Sequence, residues 1–598
     1  MITPAQLARA VYIADAGAAD RLRELLRRDP RGRKSAFERH GAGDVYRLFA
    51  IGMYLAGEHR HSQLVDDAYE VLTEDLSRPD QHDLGILEPD PKNPDGLWKP
   101  FPIDRFYYVS RSLVALANYS ADFFPELKAA ERVRREDLVY DFVDTLLVTT
   151  LYGVSTRYHA MDGTGAWSWA KGRSRRKAEK KQVEGKGQEE WAALEVVLDP
   201  QAPDFDPDAA RAYLEELARQ LQPLADDPDA DWGVKTRKDG GVELYFGGQL
   251  SVICRTPAPD EAREELGKRT KVVTVPQIVA MGRTRASLDV RDMSLKLIDR
   301  VRARECMRNL LVDRLYSNWV WERWGRELVR RGIRQHVDMT KNDHGFRDYN
   351  GARLARGWMW CPGCPDHHGT KAKPAPNARS EEWSAFFDDM DDAALYAMVK
   401  KDGPDEDGIQ HWVCPVLAGK PLGCPNRPES VPVALRLGHP VVQNPPAIVT
   451  DEKGNRTPLC CTQGSVTTRA DAQVKLAQPR LWGTRAWHKI TSLRTYIEGV
   501  FGNMKDPSTE GVSRGKCRLR GGGAHLVCLS FAGAAYNVRI VRTLFEEIEK
   551  NTGDWPANDH PLYQRDPEYH GFDHLVPAEA AEIDRQWSRR LLGGDAAA

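Results

Sequence analysis

Arg494, Glu498 and Lys505 follow one another at spacings of four and seven residues in WHKITSLRTYIEGVFGNMK. At about 100° per residue, three side chains so spaced project within a narrow sector of a helix. Ile490, Leu493, Ile497, Val500, Phe501 and Met504 recur beside them at helical spacing. The segment therefore predicts a helix that packs by one side and carries Arg, Glu and Lys along its margin. Taken alone, an Arg–Glu pair four apart is a surface pair of little worth. Two further acids change the reading. Asp162 lies in RYHAMDGTGAW, read as a strand edge closing in a Gly turn. Asp313 ends the apolar strand Leu310 to Val312 of MRNLLVDRLYS. Carboxylates at the ends of neighbouring strands, met by a Glu from a packed helix, converge on one spot and repel unless cations neutralise them. Oxygen ligands of this kind suit Mg²⁺ or Mn²⁺. Two such ions about 4 Å apart activate an attacking water or 3′-hydroxyl and stabilise the leaving oxygen. Asp199, after the apolar run of EVVLD, competes with Asp162 for the first position, which the Gly-Thr context gives to Asp162. Asp338, after IRQHV, reads as a strand-end surface residue.

The elements around these acids form a mixed α/β pattern interrupted late. VELYF (242–246) and QLSVIC (249–254) predict a hairpin about Gly247-Gly248. A helix over about 286–304, the strand before Asp313, a helix over about 319–331 and the strand IRQHVDM follow. Residues 339–484 are loop-rich and hold most of the cysteines. Upstream, residues 1 to about 85 read as helical. Val45, Leu48, Phe49 and Gly52 share one helix face, and Ser62 is a candidate cap for a helix carrying Leu64, Val65, Ala68, Tyr69 and Leu72. Two such helices fit either a helix-turn-helix DNA reader or, more readily, a plain bundle. A Pro-rich connector (86–102) and helical runs near 104–120 and 135–149 lead to Asp162. The domain boundaries so drawn are 1–150 (helical), 151–338 with 485–545 (α/β), 339–484 (Cys-rich insertion) and a polar tail, 546–598. No repeat of solenoid period is visible.

At 598 residues the chain is too long for one core. Its 41% hydrophobic and 29% charged residues are ordinary for globular protein, and the formal charge of −2 announces no polyanion partner by itself. The charge is uneven, however. Residues 171–187, with Arg175, Arg176 and Lys177 among them, hold eight Lys or Arg against two Glu, which fits a solvated surface or a phosphate-contacting arm equally. No secretory signal is visible and no apolar stretch looks long enough for a bilayer, so a cytoplasmic, nucleoid-associated place is expected. Six of the ten cysteines fall between Cys361 and Cys461. A reducing compartment argues for a metal site over disulfides. Cys361 and Cys364 have knuckle spacing, Cys414, Cys424, Cys460 and Cys461 are further candidate ligands, and His367, His368 and His411 are alternatives. A structural Zn²⁺ held by Cys361, Cys364, Cys414 and Cys424 and a small core of reduced cysteines are equally weighted expectations. In the zinc case Cys361 and Cys364 should lie side by side and face at least one of the other four.

D-G-T at 162–164, L-V-D-R-L-Y at 311–316 and the R-x₃-E-x₆-K helix together resemble the DDE transposases of bacterial insertion sequences. The likeness is to the branch with an insertion domain before the Glu and a Tyr-Arg-Glu-Lys signature. YFGG at 245–248, CCTQGSVTT at 460–468 and AGAAYNVRIV at 532–541 extend it over roughly residues 40–545. The resemblance implies an RNase H-like catalytic domain in which Asp162, Asp313 and Glu498 bind two Mg²⁺ or Mn²⁺ ions. It implies that Arg494 and Lys505 contact DNA phosphates near the transposon end. The partners it implies are double-stranded DNA and a second copy of the chain, because two ends must be brought together. Thr491 stands where the signature Tyr belongs, and Ser251 where many relatives carry His. The Thr keeps a hydroxyl for DNA but not a ring to stack. Arg514, Lys516, Arg518 and Arg520 add a second basic segment. The expected function is metal-dependent cleavage of transposon ends and 3′-hydroxyl strand transfer. A decayed or domesticated DNA-binding descendant and a metal-dependent nuclease without strand transfer are the alternatives.

Overall fold

The computed structural model describes residues 1–27, 44–89, 98–170, 173–174, 200, 202, 205–220, 223–224, 227–236, 241–258, 275–286, 289–375, 377–450, 452, 454, 456–469 and 474–567. Its centre is a six-stranded mixed sheet. The strands are β1 (Tyr158–Trp167), β2 (Asp231–Thr236), β3 (Val242–Arg255), β4 (Ile278–Arg285), β5 (Asn309–Leu311) and β6 (Arg334–His336). Their order is β6-β5-β1-β3-β2, with β4 also paired to β3. β5 runs parallel to β1 and β6 parallel to β5, while β1, β2 and β4 are antiparallel to β3. The class is thus mixed α/β, as expected from the sequence.

The expected hairpin is instead one strand. β3 passes straight through Gly247 and Gly248 and pairs with β1 from Gly247 to Arg255. A Cβ on Gly247 would stand 2.1 Å from the Ala166 carbonyl oxygen. Glycine here permits close approach of two backbones, a use that a sequence cannot distinguish from a turn. β2 and β4 are strands that the sequence reading did not find. The helix expected over 286–304 is Val290–Arg302. The helix expected over 319–331 is a 3₁₀ turn, Trp321–Arg323, followed by the short helix Gly325–Arg330, and a further 3₁₀ turn, Arg314–Asn318, precedes it.

Six helices matter for the site's support: α1 (Pro4–Ile13), α2 (Val45–His59), α3 (Val65–Thr73), α4 (Ala129–Thr149), α5 (Thr495–Lys505) and α6 (Gly522–Thr552). α6 is the axis of the molecule, packing on α2, α4 and β4. It is long and apolar enough to cross a bilayer, contrary to the sequence reading, yet 89% of its apolar window is buried inside the protein. Its start is held by side chains. Asn118 Oδ1 accepts from the Gly523 and Ala524 amides, and Asp227 and Asp229 accept from Gly521 and Gly522. These groups satisfy helix amides that have no partner within the helix, and the two carboxylates suit the positive end of its dipole. Further along, the buried Asn537 amide accepts from Ile278 N at 2.7 Å and donates to Ile278 O at 2.9 Å. Asn537 therefore acts as a pairing partner for β4, which accounts for a polar residue inside AGAAYNVRIV.

Candidate active site

Strand register brings the first two acids together. β1 and β5 are parallel, with Ala160 opposite Leu311. Two residues further along each chain come Asp162 and Asp313. Side chains two apart share a face, so the acids leave the sheet at the same level and on the same side. Asp162 is not at a strand end, as the sequence suggested. It sits within β1, paired with Val252. Beside it the Gln249 side chain lies against Gly163, with its Nε2 2.1 Å from where a Cβ would stand. Asp162 Oδ1 accepts from Gly163 N at 2.7 Å. Asp313 begins the 3₁₀ turn Arg314–Asn318, and its Oδ1 accepts from Leu315 N at 2.8 Å.

The third acid comes from the late helix, which packs on β1 and β3. The single helix expected over 487–505 is three pieces: Arg485–Thr491, a 3₁₀ turn Ser492–Arg494, and α5. Ile490, Leu493, Ile497, Val500 and Met504 are buried as the periodicity requires, and Phe501 is half-buried. On the margin, Arg494 Nη1 donates to Asp162 Oδ2 at 3.3 Å, and Nη2 donates to Glu498. One guanidinium thus bridges acids 332 and 4 residues away in sequence. Further along α5, Lys505 Nζ donates to the Thr164 hydroxyl, two residues past Asp162 on the same strand face.

Electrostatics set this cluster apart from a surface ion pair. Burial, with the Asp313 charge nearby, pushes the Asp162 carboxyl up to about 7, against the pull of Gly163 N–H and Arg494. Burial raises Asp313 as well. Glu498 is 52% exposed and stays open to solvent. Lys505 is pushed down to about 8 by burial and by Lys235. Lys235 was not singled out from sequence; it lies 4.5 Å over the Trp167 ring and pairs with Glu243. A buried carboxyl that resists ionising beside another carboxylate, with one guanidinium as counter-charge, would ionise readily with a cation bound between them. The donor set is all oxygen, which fits Mg²⁺ or Mn²⁺.

The other sequence candidates are placed as follows. The Thr491 hydroxyl donates to the Trp487 carbonyl at 3.0 Å, within its own helix. Ser251 pairs with Gly163 and so faces away from Asp162, buried and without a hydrogen-bond partner. Arg514, Arg518 and Arg520 are exposed and Lys516 half-buried on the connection between α5 and α6. Arg175, Arg176, Lys177 and Asp199 lie outside the described residues. Asp338 is no free surface residue. It accepts from Trp482 Nε1 and Lys373 Nζ, both at 2.8 Å, and thereby ties the insertion to the end of β6. In the N-terminal region α2 is buried along almost its whole length, and the acids of α3 are half-buried, Asp66 accepting from the Tyr107 hydroxyl and Glu70 pairing with Arg60.

In the insertion, Cys361, Cys414, Cys424, Cys460 and Cys461 line one cavity of about 10 Å³. Cys364, expected beside Cys361 in a shared site, does not line it. Its sulfur turns to the Pro365 carbonyl at 3.8 Å, near Arg353 and Arg356. His411 pairs with Asp402. Among the described residues, the one group of three or more His, Cys, Asp or Glu whose ligand atoms all lie within 4.8 Å is His367, His368 and Asp389. The three acids of the α/β cluster stand wider than that. No protein-family model, curated protein or solved structure matches this chain.

Proposed function

We propose that this protein is a DDE-type DNA transposase with an RNase H-like catalytic domain split by the 339–484 insertion. The observation that carries the proposal is the meeting of Asp162, Asp313 and Glu498, from three elements remote in sequence, around the Arg494 guanidinium. These three carboxylates would hold two Mg²⁺ or Mn²⁺ ions, which supply an acidified attacking oxygen and charge stabilisation at the leaving one. In each cut, the oxygen of water forms a bond to phosphorus as the P–O3′ bond breaks, and the 3′-oxygen takes up a proton. In joining, the freed 3′-hydroxyl replaces water and a target 3′-oxygen leaves. Arg494 and Lys505 hold phosphates of the end, and β1 and α5 fix the acids relative to them. Double-stranded DNA is the substrate, and a dimer brings two ends together.

The test is to incubate the purified protein with duplexes carrying the inverted repeats that flank its coding region, with Mg²⁺ or Mn²⁺, and to map the ends. Metal-dependent cuts at repeat termini, followed by joining to a second duplex, are expected. Cuts without joining would leave a nuclease. Tight end binding with no cut would leave a non-cleaving DNA-binding descendant, the reading that Thr491 favours because its hydroxyl is engaged within its own helix.

A separate prediction concerns the cations. Arg494→Ala and Lys505→Ala each remove a phosphate partner. End affinity should fall by about 1–3 kcal/mol per substitution, as for a charge-assisted hydrogen bond. The slope of log affinity against log salt should become shallower by roughly one ion. Unchanged slopes in a salt titration by fluorescence anisotropy would remove both residues from the DNA contact.

A further inference from the structure

We propose that Cys361, Cys414, Cys424 and Cys461 bind one structural Zn²⁺ that clamps the insertion together, with Cys364 outside the ligand set. The four sulfurs come from four segments, of which those of Cys414 and Cys461 are joined by the pairing of Gln410–Val413 with Ser465–Thr468. Cys361 follows the strand Trp358–Trp360, Cys414 follows the strand Gln410–Val413, Cys424 lies in a loop, and Cys461 lies in the four-residue helix Leu459–Thr462. All four are buried, none is in a disulfide, and all line the same small cavity.

A second observation points to a ligand there. Two of the cysteines open equivalent turns, Cys361-Pro362-Gly363 and Cys424-Pro425-Asn426. In each, the amide two residues on lies close enough to the cysteine sulfur to favour its thiolate: Gly363 N–H at Cys361 and Asn426 N–H at Cys424. Amides aimed at sulfur orient a metal-bound thiolate and offset its charge. A plain apolar core has no need of them. The Asn426 side chain also bonds Cys461. The fifth sulfur is differently placed. Cys460 Sγ donates to the Gly351 carbonyl at 3.3 Å and sits 3.9 Å from Cys461 Sγ, so it is a neighbour of the ligand set. The cavity holds roughly one water-sized sphere. No three of these sulfurs lie within 4.8 Å of one another as they stand, and four thiolates at about 2.3 Å from Zn²⁺ would draw in to about 3.8 Å from one another, closing the cavity. Bound there, the ion joins the chain near residue 361 to the chain near 461, across the helices and two- to four-residue strands between them. This inference does not depend on the transposase reading.

The experiment begins with metal analysis of full-length protein purified in reductant without added metal. About one zinc per chain is expected, as a single four-ligand site requires. Titration of the unaltered protein with an organomercurial should release it in step with modification of about four thiols. Replacing zinc by Co²⁺ should give strong thiolate-to-metal charge-transfer absorption with tetrahedral bands. Cys361→Ser and Cys461→Ser should lose the ion, whereas Cys364→Ser and Cys460→Ser should keep it. A protein without zinc that shows no charge-transfer band with Co²⁺ overturns the site. Retention in Cys461→Ser with loss in Cys460→Ser or Cys364→Ser overturns the ligand set. Retention in all four variants with loss in His368→Ala would place the ion at His367, His368 and Asp389 and overturn it equally.

Discussion

Asp162→Asn, Asp313→Asn and Glu498→Gln should each lower DNA cleavage and joining by at least about 10³-fold, a barrier increase of roughly 4 kcal/mol, while end binding persists. Each substitution keeps shape and removes one negative charge. The acids do not touch phosphate in this scheme; they hold the cations that do. The amide variants therefore leave the Arg494 and Lys505 contacts in place. End affinity at matched salt should be unchanged or slightly higher, because a charge of the phosphates' own sign has gone. The three variants should differ in one respect. Asp162→Asn and Glu498→Gln each weaken one of the two Arg494 contacts by removing a charge while keeping an acceptor oxygen, whereas Asp313→Asn leaves both contacts as they are. Gel-based cleavage and strand-transfer assays, run beside anisotropy for binding, read both effects. Full cleavage in any one variant would remove that residue from the mechanism.

Stability of the metal-free protein should fall as pH rises from about 4 to about 7. Asp162 ionises near 7 in the folded chain and near its ordinary 3.8 when unfolded. Between those values the folded state keeps a proton that the unfolded state has lost, so raising the pH favours unfolding. Asp313 is shifted in the same direction. At pH 8 the ionised acids oppose one another, and Asp162→Asn should stabilise the metal-free protein by about 1–3 kcal/mol. That gain should vanish below pH 4, where both forms are neutral at this position. Mn²⁺ competes with the proton, so its stabilising effect should grow from pH 5.5 to 8 and collapse in the variant. Thermal melts across this range, with and without Mn²⁺, measure all three trends. A wild type more stable than Asp162→Asn at pH 8 without metal, or a Mn²⁺ shift independent of pH, would contradict the assigned burial and coupling of the acids.

The acids and the late helix were legible because their cues are local. A 3.6-residue apolar stripe places Glu498, and an apolar run ending in Asp313 marks a strand. The placement of Asp162 opposite Asp313 was not local, since it depends on the parallel register of β1 and β5. Gly247-Gly248 misled for a physical reason: the same absence of a side chain serves a turn and a tight strand contact. The 3₁₀ turn at Ser492–Arg494 carries no composition signal, because three residues can tighten without changing which ones are buried. Knuckle spacing brought Cys361 and Cys364 into one turn, but which sulfur faces inward is decided by strands arriving from residue 410 onward.

The central position of α6 bears on how the protein can be made. α2 buries Val45, Tyr46 and every residue from Leu48 to Gly57, and α6 is among the helices that cover it. β4 likewise waits for Asn537 to pair with Ile278. A ribosome must therefore pass residue 552 before α2 has all its permanent neighbours, although α1 and α3 can pack on it earlier. Until then α2 keeps part of its apolar surface open, and Ile278 of β4, a strand already paired with β3, lacks its second partner; open apolar surface invites chaperones or proteases. A message truncated before α6 would yield a chain that cannot close its core. Fragments retaining the amino-terminal helices but lacking the late acid would thus be cleared before they could compete with the full-length protein.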